Sequence, residues 1–429
     1  MKILFLVENL YKNCGASVNI ILNIINIMNV NHNIHVIYFD DMPIKEIDLA
    51  KIDKLNHAHL YIDKMQCKRR KAFSEMYTKP NLRFHEALYL ISHPSIIPTT
   101  IDAAFFDSLF YKKKLIKFLE QYCVQNNIEV VIGHSFPFFC MNYVSKLKND
   151  VIKMAIELDP YTFNYTLADK KKKHRIKQEK KCVLNLDAIF TTDLIIKDML
   201  TVFSEQEKER LNYVQIDFPE IITKDLQKDK LLTNDKIKHS GFIDFVFTGA
   251  FYKEIRNPKY LYELFLKLPK MYRLHILGGG MEEEFADLIN ALGNRIVLYG
   301  WVEKNKVDEM VEEADVLLNL GNGIPNQVPS KTIEYIATGK PILNISFINN
   351  CPTERVLENY GNSLTIHTTK VIRKKDVEKI VEFVERKKGD RVPIAEILKE
   401  YNTYTDVYVA NQIELEIKRC ARHKCKSDM

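Results

Sequence analysis

The chain has 429 residues, 46% of them apolar and 28% charged, with a net charge of +6. That balance excludes wholesale disorder and leaves room for two to four domains of about 100–200 residues each. No uncharged apolar run approaches the ~18 residues of a spanning helix, and Met1-Lys2-Ile3-Leu4-Phe5-Leu6-Val7-Glu8 meets charge too soon for a secretory signal, so a cytoplasmic protein is expected.

The charge is uneven. Residues 1–240 hold 35 Lys/Arg against 29 Asp/Glu, residues 241–417 hold 22 against 26, and the last twelve hold 5 against 1. A basic first half and tail would suit an anionic surface, or be a solvated face.

Short β-branched runs alternate with helical patterns, which predicts βαβ units and parallel sheets. In the first half the expected strands are 3–7, 34–39, 129–132, 152–157, 188–191 and 213–216. The first is followed by a loop ending at Gly15 and an amphipathic helix to about Met28. That loop is not Gly-x-Gly-x-x-Gly, so a dinucleotide site is disfavoured. The stretch 41–110, rich in His, Tyr and Lys, carries no readable motif.

The third strand runs into Gly133-His134-Ser135-Phe136-Pro137. Gly-x-Ser after a strand resembles the nucleophile elbow of α/β-hydrolases, although Pro137 stands where the second glycine belongs. Glu157-Leu158-Asp159-Pro160 ends the next strand and mimics an acid/base pair. The densest basic run is Lys170-Lys171-Lys172-Lys173-His174-Arg175-Ile176-Lys177, with others at 68–71 and 112–114. It reads as a solvated face or as a contact for anionic lipid headgroups. No helix-turn-helix, zinc or aromatic RNA signature accompanies it, so nucleic acid is not expected.

Phe218-Pro219 opens a charged stretch without apolar period, read as an interdomain linker over 219–241. The expected domains are thus 1–218 and 242–402. The second contains expected strands at 244–247, 273–277, 295–299, 316–319, 342–345 and 363–366.

Within it, Phe247-Thr248-Gly249-Ala250 leads to Arg256-Asn257-Pro258, with Asn257 a fitting N-cap and Pro258 a fitting first helical residue. A guanidinium just ahead of a helix N-terminus can grip a diphosphate in bidentate fashion. Gly278-Gly279-Gly280 permits close backbone approach to a ligand. Gly321-Asn322-Gly323 leads to Pro329-Ser330-Lys331-Thr332-Ile333-Glu334-Tyr335, expected to be a helix capped by Ser330. A helix N-terminus at the carboxyl edge of a sheet attracts phosphate, Lys331 adds a cation, and Glu334 can accept from a ribose diol.

The run Pro-Ser-Lys-x-x-Glu-Tyr-x-Ala-x-Gly-Lys-Pro-Ile, beginning at Pro329, resembles the nucleotide-sugar motif of GT-B glycosyltransferases, in particular the family-four group that builds bacterial surface polysaccharides. The resemblance implies two Rossmann-like domains facing a central cleft, with a last helix, expected near 403–420, crossing back to the first domain. It implies a metal-independent enzyme without cofactor that moves a sugar from a nucleotide-diphosphate donor to a glycan or lipid-linked acceptor, with retention. Glu334 matches the family's second glutamate, on the ribose. Asn326 stands in place of the first, on the donor sugar, and Ala250 replaces an Arg, leaving Arg256, Lys253 and Lys331 for the diphosphate. Gly249, Gly279 and Ser330 complete the donor side. Trp301 would line the nucleobase pocket or pack in the core. Gly15 and Asp159 would face the acceptor, and His134 would meet the reacting sugar or rest as a satisfied loop residue. Two rivals stay open: a non-catalytic nucleotide-sugar binder, and a hydrolase using Ser135.

Eight spread cysteines without Cys-x-x-Cys read as reduced packing thiols. Cys420-x-x-His423-x-Cys425 is the sole metal-like spacing, in a basic tail without a nearby fourth ligand.

Overall fold

The computed structural model describes residues 1–7, 16–40, 55–61, 109–135, 138–164, 172–223, 226 and 241–427. The chain divides into two compact units. Unit 1 is residues 1–219 with 406–429, and unit 2 is residues 220–405.

Unit 1 contains β1 (Lys2–Val7), α1 (Ala16–Met28), β2 (Asn33–Asp40), β3 (Asn56–Tyr61), α2 (Leu109–Asn126), β4 (Val130–Ser135), α3 (Phe139–Val144), β5 (Ile152–Glu157), α4 (Lys172–Val183), β6 (Ala188–Thr191), α5 (Asp193–Leu200), α6 (Glu205–Lys208) and β7 (Tyr213–Gln215). The strands form one parallel sheet in the order β3-β2-β1-β4-β5-β6-β7. This is the doubly wound arrangement, with its switch point between β1 and β4.

Strand alternation sorts the core into two layers. Ile132, Met154 and Phe190 pack on one face, with Ile21, Ile24 and Ile25 of α1. Val131, Ala155 and Ile189 pack on the other, with α2, α3 and Cys182 of α4. Gly133 has no side chain because α3 lies against it: a Cβ there would stand 2.9 Å from the Met141 Cα.

Unit 2 contains β8 (Ile243–Ala250), α7 (Lys259–Lys267), β9 (Tyr272–Gly279), α8 (Ala286–Leu292), β10 (Ile296–Gly300), α9 (Lys304–Glu313), β11 (Val316–Leu320), α10 (Ser330–Ala337), β12 (Ile342–Ser346), α11 (Pro352–Leu357), β13 (Ser363–His367), α12 (Lys374–Lys387) and α13 (Ile394–Glu400). Its parallel sheet runs β10-β9-β8-β11-β12-β13, the same topology with its switch point between β8 and β11. Glu220 and Ile221, at the start of the stretch read as a linker, belong to this unit. The Ile221 N–H donates to the Tyr404 carbonyl at 3.1 Å, and its buried side chain packs with Ile333 and Ile336 of α10.

The last helix, α14 (Asp406–Ser427), belongs to unit 1. It buries Val409, Ala410, Ile413 and Ile417 in the core layer that holds α1. At about 1.5–3 kcal/mol for each large apolar side chain, this stripe is ample to dock one helix. The helix continues well past the expected end, so the tail is ordered through 427. Cys420 lies within it, its thiol near the Glu416 carboxylate at 3.6 Å and pushed up to about 12, first by burial. Among the described residues no group of three His, Cys, Asp or Glu could hold a metal, and no helix is long and apolar enough to cross a membrane.

Candidate functional site

The carboxyl edge of the unit 2 sheet, at the β8/β11 switch point, collects most of the residues expected to meet a ligand. β8 continues beyond its expected end through Gly249 and Ala250, which pair with Gly278 and Gly279 of β9. Gly278 has φ +99°, and a Cβ there would stand 2.4 Å from the Gly249 carbonyl oxygen. Only glycine fits, and the bare backbone of two adjacent strands is left open at the edge. Gly279, also at positive φ, belongs to this turn, where the Gly280 N–H donates to Glu282 Oε1 at 2.6 Å.

After β8 the chain doubles back. Tyr252 and Arg256 exchange two backbone hydrogen bonds, of 3.1 and 2.8 Å, which returns Arg256 to the sheet edge. Its guanidinium donates to Asn322 Oδ1 at 2.7 and 3.2 Å and to the Ala250 carbonyl at 3.4 Å. The Gly323 N–H donates to the Ile255 carbonyl at 2.6 Å. The loops after β8 and β11 are thereby stitched together, with Arg256 half-buried at the join. Burial lowers its pKa, but a guanidinium remains charged. Asn257 caps the following turn, accepting from the Lys259 N–H at 2.9 Å, and the helix begins at Lys259, one residue past Pro258.

α10 opens at Ser330, the residue expected as its cap. Pro329 occupies the cap position, no side chain caps the first turn, and Ser330 is the first helical residue. The helix is fixed from beneath. Tyr335 Oη accepts from the Thr248 N–H of β8 at 2.9 Å. Thr332 donates to Asn319 at 3.2 Å, Asn319 to Asn344 at 2.8 Å, and Asn344 to Thr365 at 3.2 Å. Those three sheet positions are in register across β11, β12 and β13, so a satisfied polar ladder sets the helix on the sheet.

Above that base, Lys331 reaches both Glu334 oxygens at 2.6 and 2.7 Å, and Lys304 of α9 approaches Glu334 at 3.6 Å. Burial alone would raise the Glu334 pKa. The Lys331 charge, then that of Lys304, outweighs it and holds the carboxyl below its ordinary value. Asn326 is buried in the loop leading to α10.

One member of this cluster escaped the sequence reading. Glu220 is brought to the start of α10 by the burial of Ile221 beside it. Its Oε1 is buried without a hydrogen-bond partner among the described residues. Its carboxyl is pushed up to about 8, by burial first and then by the Glu334 charge, against the pull of Lys331, Lys304 and a hydrogen bond to Ser330. Its only sequence signal was a carboxylate beside an apolar pair within a charged stretch.

Other expected residues stand apart. Lys253 is exposed and faces Glu284 at 3.4 Å. Trp301 is 79% exposed at the end of β10, which excludes the core position. In unit 1, His134 lies within β4, not in a loop, and is 1% exposed. Neither ring nitrogen has a hydrogen-bond partner among the described residues, and burial lowers its pKa to about 4, so it is neutral. Asp159 is half-buried just past β5. Ser135 is the last residue of β4 and fully buried, which removes the exposed nucleophile that a hydrolase elbow needs. Gly15 lies outside the described residues.

Residues 243–385 match the family model described as Glycosyl transferases group 1. Among solved structures, the chain is similar to the apo form of the lipopolysaccharide outer core galactosyltransferase WaaB, with 15% identity, TM-score 0.58, and 98% of this chain and 99% of that one covered. It is also similar to Anabaena HepE in complex with UDP, with 10% identity, TM-score 0.62, and 98% and 100% covered. A glycosyltransferase from Rickettsia africae aligns with 12% identity, TM-score 0.60, and 98% of each chain covered. No curated protein matches the sequence significantly.

Proposed function

We propose that this chain, a GT-B glycosyltransferase with a group 1 glycosyltransferase domain, moves a sugar from a nucleotide-diphosphate donor to a hydroxyl of a glycan or lipid-linked acceptor in polysaccharide assembly. The observation that carries the donor side is the join at the β8/β11 switch point. There Arg256 and the free first turn of α10, with Lys331, converge on one sheet edge. Anabaena HepE, of the same fold, is described in complexes with UDP and with UDP-glucose, which supports a nucleotide-sugar donor here.

In this reading the diphosphate lies on Arg256, Lys331 and the N–H groups of the first turn of α10. The ribose exchanges its hydroxyls for Lys331 as the partner of Glu334. The bare backbone at Gly249 and Gly279 admits the donor, and Trp301 covers the base. As the bond between the anomeric carbon and the β-phosphate oxygen breaks, negative charge grows on the diphosphate. Preplaced cations and dipoles stabilise that charge more than they do the intact donor. The acceptor oxygen forms the new bond and its proton passes to the leaving phosphate, on the retaining course. Asn326 contacts the donor sugar through neutral hydrogen bonds. Asp159 orients the acceptor, whereas His134, sealed within β4, supports that edge without touching the sugar.

Calorimetry with UDP, other nucleoside diphosphates and inorganic pyrophosphate tests this. Arg256→Ala should weaken UDP and pyrophosphate alike, by about 1–3 kcal/mol for a lost charged hydrogen bond. Glu334→Gln should weaken UDP but not pyrophosphate, because it frees Lys331. Absence of binding to every nucleotide would sink the reading. The rival, a binder without catalysis, is favoured by Asn326 in place of a carboxylate. Donor consumption in the presence of acceptor extract excludes it.

We further propose that the basic face of unit 1 rests on an anionic membrane surface. Lys173, Lys177, Lys180, Lys181 and Arg210 surround an open groove of about 580 Å³ between α4 and α6, with Glu207 as the acid among them. Such a stripe suits phosphate headgroups. Flotation with vesicles of phosphatidylglycerol, but not of phosphatidylcholine, is the expected result. Equal recovery with both would refute it.

A further inference from the structure

Beneath the carboxyl edge of the unit 1 sheet lies a buried charged cluster that the proposed reaction does not use. Ser135 of β4 is in register with Glu157 of β5, and Glu157 with Thr191 of β6. These three share the sheet face covered by α4. From that helix Arg175, Glu179 and Cys182 are buried, at 1%, 0% and 2% exposure, and Glu157 is likewise at 0%. Glu179 Oε2 accepts from the Thr162 N–H at 2.8 Å, which ties the segment after β5 to α4.

The charges do not balance as written. Two carboxyl groups are buried here with one guanidinium, Arg175, whose charge acts on Glu179, and a second bare carboxylate in a dry interior is strongly disfavoured. The hydrogen bonds point the same way. Both Glu157 oxygens and Glu179 Oε1 are buried without a well-aligned hydrogen-bond partner among the described residues, and the donor acting on Glu157 is the Tyr161 N–H. The carboxyl oxygens otherwise face one another as acceptors, and one added proton supplies the missing donor.

We propose that Glu157 and Glu179 hold one proton between them, with Glu157 as the acid. Through Glu179 and Thr162 the proton positions residues 158–164, the segment that carries Asp159. The consequence for the acceptor rests on the function proposed above; the shared proton does not. The surroundings agree. Burial first, and then the Glu179 charge, push the Glu157 carboxyl well above its ordinary range. Glu179 is raised by burial, opposed by its hydrogen bonds with Glu157 and Thr162 and last by the Arg175 charge. The other groups facing the pair are Cys182, pushed up to about 12, and Tyr213 of β7, also raised, so both stay neutral. Asp159 adds a negative charge that further favours the protonated pair.

The native state thus keeps a proton that the unfolded chain gives up above the usual carboxylate range. The stability gained is complete below that range and declines as pH rises toward the folded value. Infrared difference spectra of the full chain at neutral pH should show a protonated carboxylic acid band that Glu157→Gln removes. The melting temperature of that variant should decline less with rising pH than that of the wild type, Glu220 leaving a residual decline. Amide exchange over 158–164, corrected for its intrinsic pH dependence, should accelerate at high pH in the wild type and not in the variant. Glu179→Gln gives a second reading if the first variant folds poorly: burial still favours the Glu157 acid but the Glu179 charge is gone, so the band should shift and be lost at lower pH than in the wild type. A band that survives Glu157→Gln, a band that Glu179→Gln leaves unmoved, or an unchanged alkaline slope in Glu157→Gln overturns the proposal. UDP calorimetry on the same samples reports on the donor reading separately.

Discussion

The two sheets share one strand order but treat charge at their carboxyl edges in opposite ways. In unit 2 the charged groups are partly open and traded among themselves. Lys331 and Glu334 keep 27% and 22% of their side chains exposed, and Lys304 lies beside them. Such pairs are cheap to rearrange, because water and a ligand can both replace a partner. In unit 1 the charged groups described beneath the corresponding edge are shut away from water. His134 is neutral, and Glu157, Glu179 and Arg175 are sealed. A site that exchanges partners with an anion needs the first kind of edge. A surface that must hold a segment in place uses the second.

Removing one cation from each edge is the strongest way to break this contrast. Arg175→Met removes the buried cation whose charge acts on Glu179, and taking a compensating charge from a buried carboxylate costs about 3–5 kcal/mol. Lys331→Met takes one partner from a part-exposed pair, where about 0–1 kcal/mol is the ordinary scale. Thermal unfolding should show a large loss for the first substitution and almost none for the second. Equal losses would mean that the two edges are not built differently.

The same contrast governs what the sequence could disclose. Strands were legible from their β-branched runs, and the charged edge at β8 and β11 from Arg256 and the run Ser330, Lys331 and Glu334. Strand ends were not. β4, β8 and β9 each pass through a glycine that reads as a turn, whereas here it continues the pairing. β3 is Asn56-His57-Ala58-His59-Leu60-Tyr61, with too little apolar character to stand out. The basic run misled in a different way. From Lys172 on it belongs to α4, whose buried residues are Arg175, Glu179, Cys182 and Val183, so part of a segment read as a solvated face is interior. Apolar periodicity cannot detect an interior stripe made partly of charged side chains. Glu220 was hidden for a related reason, since its place at α10 depends on how Ile221 packs and not on any local pattern.

Glu220 also supplies the subtlest test, because it is the one group of the open edge that behaves like the closed one. In the free protein its carboxyl titrates at about 8, first because it is buried and next because Glu334 lies beside it. A diphosphate arriving at Lys331 and the start of α10 brings more negative charge to the same spot and raises that value further. Binding therefore takes up a proton wherever free Glu220 is ionised and bound Glu220 is not. The Glu220 contribution to UDP affinity should be flat below neutrality and fall above pH 8, by at most about tenfold per pH unit while the two states differ by one proton. Calorimetry in buffers of different ionisation enthalpy should register the uptake near that pH, and Glu220→Gln should abolish it while leaving UDP bound. An uptake that persists in the variant would place the titrating group elsewhere. A wild type with no uptake would mean that the diphosphate and Glu220 do not share the start of α10.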